Sequence, residues 1–410
     1  MPDALPQSVA PTVSDSAVAP EPAPLSQKDL RHWKLLRSFQ DRLEAVFAQH
    51  SFHPSWQDPK RRLAAADYLS LFFFGLVNPV ARTLRALTAT SFLERVQQEV
   101  CHQAVCRSSF SDAQHLLDPA LLEAVLDNLA REVPCAATAD PRLKDWAWQA
   151  RDGSLFRALP RMTWALYGAG AKGAPNRAVR LHLSLHLLAD KPGRSAVRPG
   201  RDCERAVWEG QLEKGAGYVG DRYFGENYKL LGRLEDKGCA YVIRLLDQAI
   251  INVEEELPVS SADRDAGVVR QAWVTLGSTA RYRSRRLRVV WVQGEETTLV
   301  LATNLSPEAL PAELVSLLYR QRWKIELYFR WIKCILGCGH WMAESPNGAT
   351  IQIYLALIAS VLLQLYIGRR PTKRIMELVQ FFLLQWATED ELSRGLEKYR
   401  QELARRQKNS

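Results

Sequence analysis

Strand-like and helical segments alternate in the middle of this chain. Residues Trp146 to Arg151 and Leu181 to Leu185 alternate as strands do, and Gly217 to Gly220 is a further short strand-like piece. Helical periodicity then covers roughly Gly225 to Lys237, and Ala240 to Leu246 is strand-like again. A strand, a helix and a strand in this order predict an α/β fold in which helices pack on a sheet.

Composition and periodicity divide the 410 residues into six segments. Residues 1–27, rich in Ala, Pro and Ser, predict a disordered leader. Residues 28–140 predict an α-helical N-terminal domain that could bind DNA, although simple packing against the rest of the chain is the competing interpretation. The other segments are a first part of the core at 141–246, a β-rich insertion at 247–297, a second part of the core at 298–345, and a helical C-terminal region at 346–410.

The charge balance favours polyanionic partners. The chain has 54 Lys and Arg residues against 45 Asp and Glu residues, a formal charge of +9. Such an excess gathers polyanions, but it also occurs in proteins that need it only for solubility. The positions of the charges are therefore needed to distinguish polyanion binding from a role in solubility.

One uncharged stretch approaches the length of a membrane span. It runs from Ser345 to Gly368 and is interrupted by Gln352, Ser360 and Gln364. Since no second span accompanies it, we predict a buried helix and no membrane contact. The seven scattered cysteines and the lack of a secretory layout at the N-terminus predict a cytoplasmic protein.

Two aspartates follow predicted strands. We expect the strand at 146–151 to stop at the turn Asp152-Gly153-Ser154, and the strand at 217–220 to end at Asp221. Carboxylates at strand ends lie at the rim of a sheet, where open α/β folds place ligands. Either aspartate alone would be an ordinary turn or helix-capping residue, so the interpretation depends on a third partner.

The third partner lies on a long helix predicted from after Ser306-Pro307 to about Leu336. At about 100° per residue, one acid, three bases and a tyrosine share an arc of roughly 80°. An adjacent face is apolar and suits the core. A solvated face with ion pairs four residues apart is the alternative interpretation. The shared face consists of Tyr319, Arg322, Glu326, Arg330 and Lys333.

Three acids with basic neighbours suit phosphodiester chemistry. Two metal ions about 3.5–4 Å apart can activate a nucleophile and neutralise the leaving oxygen, and Mg²⁺ prefers carboxylate and water oxygens. Arg322, Arg330 and Lys333 could then bind phosphates, and Tyr319 could donate a hydrogen bond to one. Trp323, at the edge of the same face, could stack on an unpaired base or be buried in the core.

These residues resemble a known signature. Tyr319, Arg322, Glu326 and Lys333 match the Y-(2)-R-(3)-E-(6)-K spacing of DDE insertion-sequence transposases of the insertion-sequence-four type. The surroundings of Asp152 and Asp221, and the sequence Thr303-Asn304-Leu305, also resemble blocks of that family. The resemblance covers about residues 105 to 390.

The resemblance implies a fold and an activity. It implies a ribonuclease-H-like catalytic core interrupted by a β-rich insertion, and metal-dependent cleavage at element ends followed by strand transfer into target DNA. Two Mg²⁺ ions, which Mn²⁺ can replace, are implied cofactors. The implied partners are double-stranded DNA at terminal inverted repeats, target DNA and a second copy of the chain in a dimeric synaptic complex. A bacterial cytoplasmic protein that joins the nucleoid when bound to DNA is also implied, as is a hairpin intermediate in several members.

Residue roles follow from the same resemblance. Asp152, Asp221 and Glu326 would be the catalytic, metal-binding triad. Tyr319, Arg322 and Lys333 would contact DNA phosphates near the cut, and Trp323 would lie at the position associated with a flipped base.

Three further interpretations remain open at this point. A general two-metal nuclease is the nearest, and a DNA-binding descendant that no longer cuts is the second. The third, a membrane or scaffold protein, depends only on the apolar stretch.

A cluster of arginines has two interpretations of its own. The arginines at 281, 283, 285, 286 and 288 could follow a DNA backbone, or their charge could keep a solvated strand edge from pairing with other strands.

Overall fold

The computed structural model of the chain describes residues 34–135, 140–169, 175–278, 283–294, 296–334, 337, 340–384 and 386–408. The predicted leader at 1–27 and Leu336 lie outside these residues. Within them the protein is a mixed α/β structure in which one large sheet is covered by helices.

The N-terminal part that the structure describes is helical. Hydrophobic residues at helical spacing bury one face of most of these helices. A short 3-10 turn at Pro54–Trp56 lies within the helical run, and a second one at Pro141–Leu143 follows it. The helices are α1 (Lys34–Phe47), α2 (Ala65–Val77), α3 (Leu84–Thr90), α4 (Glu94–Glu99), α5 (Arg107–Leu116) and α6 (Ala120–Glu132).

The sheet has ten strands among the described residues. Its order is β2-β3-β1-β5-β6-β10-β9-β8-β7, and β4 also pairs with β3. β1, β5 and β6 run parallel to one another, whereas the other pairings are antiparallel. The strands are β1 (Ala147–Arg157), β2 (Leu166–Ala169), β3 (Pro175–His186), β4 (Lys191–Pro199), β5 (Ala216–Gly220), β6 (Ala240–Arg244), β7 (Ile251–Leu257), β8 (Val268–Leu276), β9 (Leu287–Gln293) and β10 (Thr298–Thr303).

The remaining helices cover both faces of the sheet and form the C-terminal part. One apolar cluster unites the N-terminal helices with one face, and a second lies on the other face around Trp208 and Tyr241. Burial on both faces explains why the central strands are nearly continuously apolar. The helices are α7 (Glu204–Glu209), α8 (Arg222–Gly225), α9 (Tyr228–Asp236), α10 (Ser261–Asp265), α11 (Ala312–Gln321), α12 (Trp323–Cys334), α13 (Pro346–Ile367), α14 (Lys373–Leu383) and α15 (Glu389–Lys408).

The prediction that the first strand stops at Asp152 is wrong. β1 continues to Arg157, and Asp152 lies opposite Leu183 of β3 within an unbroken antiparallel ladder. Pairing with β3 outweighs the local turn preference of the Asp-Gly-Ser sequence. The lack of a side chain at Gly153 leaves room for Glu204, because a Cβ at this position would lie 2.9 Å from the Glu204 carboxyl carbon.

Two other boundaries differ from the sequence-based expectation. The single helix expected after Pro307 is two helices, α11 and α12, which meet at Arg322. The strands of the predicted insertion at 247–297 continue the main sheet, because β9 pairs with β10. The division into domains stays a prediction.

The apolar stretch forms α13, which is long and apolar enough to cross a membrane by length and composition. In this structure 83% of its most apolar window is buried inside the protein. It packs against α2, α5, α6 and β4. The expected buried helix is therefore what the structure contains.

Candidate active site

Two of the predicted acids lie side by side on neighbouring parallel strands. Ala150 of β1 pairs with Val219 of β5, and extending this register by two residues sets Asp152 beside Asp221. Side chains alternate along a strand, so the two carboxylates leave the same face of the sheet, and neighbouring strands are about 4.8 Å apart. Asp221 ends the β5 extension and caps α8 by accepting a hydrogen bond from the Tyr223 amide at 3.0 Å.

The Asp152 carboxyl has an unusual acidity. It is half-buried and accepts a hydrogen bond of 2.7 Å from the Gly153 amide. Burial raises its pKa to about 6, the Gly153 amide opposes that rise, and Asp221 adds to it. Arg322 lowers the pKa, whereas Glu326 raises it. Asp221 and Glu326 are therefore both within electrostatic reach of Asp152.

Glu326 reaches this place from α12, the helix that packs on β1. Its carboxylate is paired with Arg322, whose Nη2 lies 2.5 Å from Oε1. The Arg322 side chain is 15% exposed and that of Glu326 is 31% exposed, so the pair lies at the rim rather than in open solvent. The four-residue spacing allows this contact across the junction between α11 and α12.

The structure gives contacts for only some of the basic side chains predicted to share a face with Glu326. The Arg322 guanidinium lies 5.9 Å from the centre of the Tyr319 ring, and Lys333 Nζ lies 5.0 Å from the ring of Phe156 on β1. Arg330 is exposed. Tyr319 thus lies beside Arg322, and Lys333 lies beside β1 on the C-terminal side of Asp152.

Trp323 is at the surface. Its side chain is 49% exposed, so the alternative that it fills the core is wrong. The first residue of α12 is Trp323 itself, directly after the junction at Arg322. An exposed indole here is free to stack on a flat ligand.

Most of the described arginines among positions 281–288 contact other residues of the protein. Arg285 and Arg286 are paired with carboxylates, at 2.6 Å from Asp236 and 3.2 Å from Glu254. Arg288 is fully buried and donates to the Gln271 side chain at 3.2 Å. Arg281 lies outside the described residues. The described arginines of this segment, apart from exposed Arg283, thus serve internal contacts.

The acids are not assembled as a finished metal centre. Within the residues that the structure describes, no group of three His, Cys, Asp or Glu side chains is close enough to hold a metal ion. The Glu326 carboxylate instead accepts a hydrogen bond from Arg322.

Sequence analysis missed Arg244, which continues the row of Asp152 and Asp221. Gly220 pairs with Ile243 of β6, and one further residue in register sets Arg244 beside Asp221. The signal was present in the sequence, since Arg244 belongs to the third predicted strand. No motif marked it, and only the strand register shows the proximity.

Comparisons with known proteins agree on one group. A family model described as Transposase DDE domain matches residues 150–362. The chain is 29% identical over 175 residues to a putative transposase, y4zB, of Sinorhizobium fredii, covering 42% of this chain and 47% of that protein. It is 27% identical over 206 residues to a probable transposase for insertion sequence element IS5377 of Geobacillus stearothermophilus, covering 50% of this chain and 52% of that protein.

The chain thus spans about half the length of the curated relatives it matches. Among solved structures, a piggyBac transposase synaptic complex with hairpin DNA is similar, with a TM-score of 0.36 and 12% identity. That alignment covers 87% of this chain and 79% of that chain.

Proposed function

Because this chain belongs to the transposase DDE domain family, we propose that it cleaves DNA at the ends of an insertion sequence and transfers the strands into target DNA. The observation that carries the proposal is the set of acids: Asp152 and Asp221 on adjacent parallel strands, with Glu326 close enough to raise the pKa of Asp152. A protein that only binds DNA would have no use for clustered carboxylates, which repel phosphates.

The finer assignment is a ribonuclease-H-like core of the insertion-sequence-four type. Support comes from the sheet order β4-β3-β1-β5-β6, in which an antiparallel trio is followed by two parallel strands. The matching spacing of Tyr319, Arg322, Glu326 and Lys333 is the second support.

The proposed cofactor is a pair of Mg²⁺ ions, replaceable by Mn²⁺. The donor set fits a hard cation, because it consists of carboxylates. The pKa of Asp152 is raised by burial first and then by the negative charges of Asp221 and Glu326, and a bound cation would offset this charge. When bound, the ions would activate a nucleophile and neutralise the leaving oxygen. Asp152, Asp221 and Glu326 would hold them, which requires Glu326 to give up its contact with Arg322.

The basic and aromatic side chains would hold the DNA. Once released by Glu326, Arg322 would bind a phosphate near the cut together with Tyr319 and Lys333. Arg330 would bind the backbone farther along α12, and Trp323 would stack on an unpaired base. The same surface in a second copy of the chain would serve the other element end, in a homodimeric complex.

The test uses duplexes copied from the DNA ends that flank the gene. Nicking and strand transfer in Mg²⁺ or Mn²⁺ are compared between the wild-type chain and Glu326→Gln. The amide keeps a hydrogen-bond acceptor for Arg322 but removes the charge needed by the metal ions. We expect cleavage to fall at least a hundredfold, with DNA binding in EDTA within about threefold of wild type.

The matched control is Glu254→Gln, which removes one exposed carboxylate from β7. Cleavage by Glu254→Gln should match wild type. If Glu326→Gln cuts as fast as wild type, the triad is wrong. Specific binding without cleavage by the wild-type chain would instead favour the DNA-binding descendant, and cleavage without strand transfer would favour a general nuclease.

A further inference from the structure

Arg244 stands third in a row that runs across three parallel strands. We propose that Arg244 binds a DNA phosphate beside the one being cut, on the side of Asp221 away from Asp152. This inference rests on the proposed function and adds a contact that the transposase signature does not contain.

The strand register gives Arg244 its place. β1, β5 and β6 are parallel neighbours, and the equivalent positions on them are Asp152, Asp221 and Arg244. Equivalent positions share one face of the sheet, so the row reads acid, acid, base at intervals of about 4.8 Å. A phosphate held over the two acids therefore has a cation immediately to one side.

The guanidinium is held near the surface without a full set of partners. Its side chain is 22% exposed, and its Nε is buried with no hydrogen-bond partner among the described residues. Its ion pair is with Asp247 at 3.4 Å, and that carboxylate is 62% exposed, which makes the contact weak. An arginine has five N–H donors in a planar fork that suits phosphate oxygens.

Tyr319 links Arg244 to the predicted DNA-binding residues. Burial raises the pKa of the Tyr319 hydroxyl, Arg322 and Arg244 lower it, and Asp221 raises it. Arg244, Arg322 and Asp221 therefore all lie within electrostatic range of this hydroxyl. Arg244 comes from the end of β6 and Arg322 from the α11–α12 junction, so two of the predicted acids each have an arginine next to them, Arg244 in register with Asp221 and Arg322 paired with Glu326.

The backbone that carries Arg244 is fixed. α8 begins after Asp221, and its last residue, Gly225, lies so close to the Arg244 carbonyl that a Cβ there would overlap the oxygen. The same short helix therefore secures both Asp221 and Arg244. A phosphate-binding group on a fixed strand end loses little entropy when it binds.

The experiment measures metal-free binding of the full chain to element-end duplexes in EDTA at several NaCl concentrations. Arg244→Gln should weaken binding about tenfold, which is typical of a lost charged hydrogen bond. It should also reduce the salt dependence by about 0.9 in the slope of log K against log salt. Arg244→Lys should restore the slope, because it restores the charge. The matched control is Arg233→Ala on α9, whose side chain is 54% exposed, and it should behave as wild type.

A second measurement locates the phosphate. Single phosphates around the cut are replaced by neutral methylphosphonates, and the loss of affinity is compared between proteins. At one position wild type and Arg233→Ala should lose affinity whereas Arg244→Gln loses none, because the partner is already absent. Equal losses at every position, or an unchanged salt slope, would show that Arg244 only supports the fold. If wild type does not bind element ends specifically, the proposed function itself fails.

Discussion

The acidity of Asp152 has a consequence for stability. In the folded chain its pKa is about 6, whereas the ordinary value is 3.8, and burial is the largest cause. Between about pH 4 and about pH 6 the folded chain binds more protons than the unfolded chain at this site. The free energy of unfolding therefore falls as the pH rises through this window, and stays lower above it.

Asp152→Asn should remove this penalty. Without divalent metal at pH 8, the variant should melt at a higher temperature than wild type. Its free energy of unfolding should be higher by at most about 3 kcal/mol. The difference should disappear below about pH 4. Thermal melting followed by circular dichroism across pH measures this effect. Asp145→Asn, an exposed position, should show no such trend.

At the level of single residues, the sequence indicated the candidate side chains but not most of their contacts. Glu326 and Arg322 were recognisable as neighbours on a helix, and they do form an ion pair. The adjacency of Asp152 and Asp221 depends on a strand register that joins positions 69 residues apart. The position of Arg244 beside Asp221 depends on strand register in the same way, and local periodicity carries no information on which strands pair.

Among the elements, β1 and the α11–α12 pair show where local rules fail. The Asp-Gly-Ser sequence favours a turn, yet β3 pairs with β1 past this point and keeps it extended. The helix expected to be continuous breaks at Arg322. At β1 the long-range pairing with β3 prevails over the local preference, and the break at Arg322 is likewise visible only in the three-dimensional structure.

The α8 helix offers a test of how elements position the site. Gly225→Ala would bring a Cβ against the Arg244 carbonyl oxygen, which is backbone and cannot move aside easily. The free energy of unfolding should fall by about 1–3 kcal/mol. Gly210→Ala is the control, since its Cβ would meet nothing closer than 3.6 Å. Urea denaturation of both variants gives the comparison, and equal stabilities would contradict the close packing.

For the whole molecule, α13 is the element that connects the parts. It packs on α2, α5 and α6 as well as on β4, so one helix belongs to the cores of both the helical region and the sheet. Its Gln352, fully buried, accepts a hydrogen bond from the Met342 amide and donates one to the His340 carbonyl. Sequence periodicity could show that this helix is buried, but not which elements surround it.

Ile358→Ala should therefore destabilise both regions together. Ile358 is fully buried in α13, and removing its side chain should lower the free energy of unfolding by about 2–5 kcal/mol. Tryptophan fluorescence and circular dichroism should report one shared, shifted transition in urea. Leu317→Ala, at a 39% exposed position on α11, should change stability much less. Two separate transitions would mean that the helical region and the sheet unfold independently.

The continuous sheet also determines how the direction of β7 relates to that of β5. Each strand is rotated by roughly 20–25° from its neighbour, and five steps separate β5 from β7 along the order β5-β6-β10-β9-β8-β7. At this average twist the accumulated rotation is about 100–125°, which would set β7 nearly crosswise to the strands that carry the acids. A rod-shaped ligand laid along β5 would meet the β7 edge broadside, and a ligand crossing β5 would run alongside it.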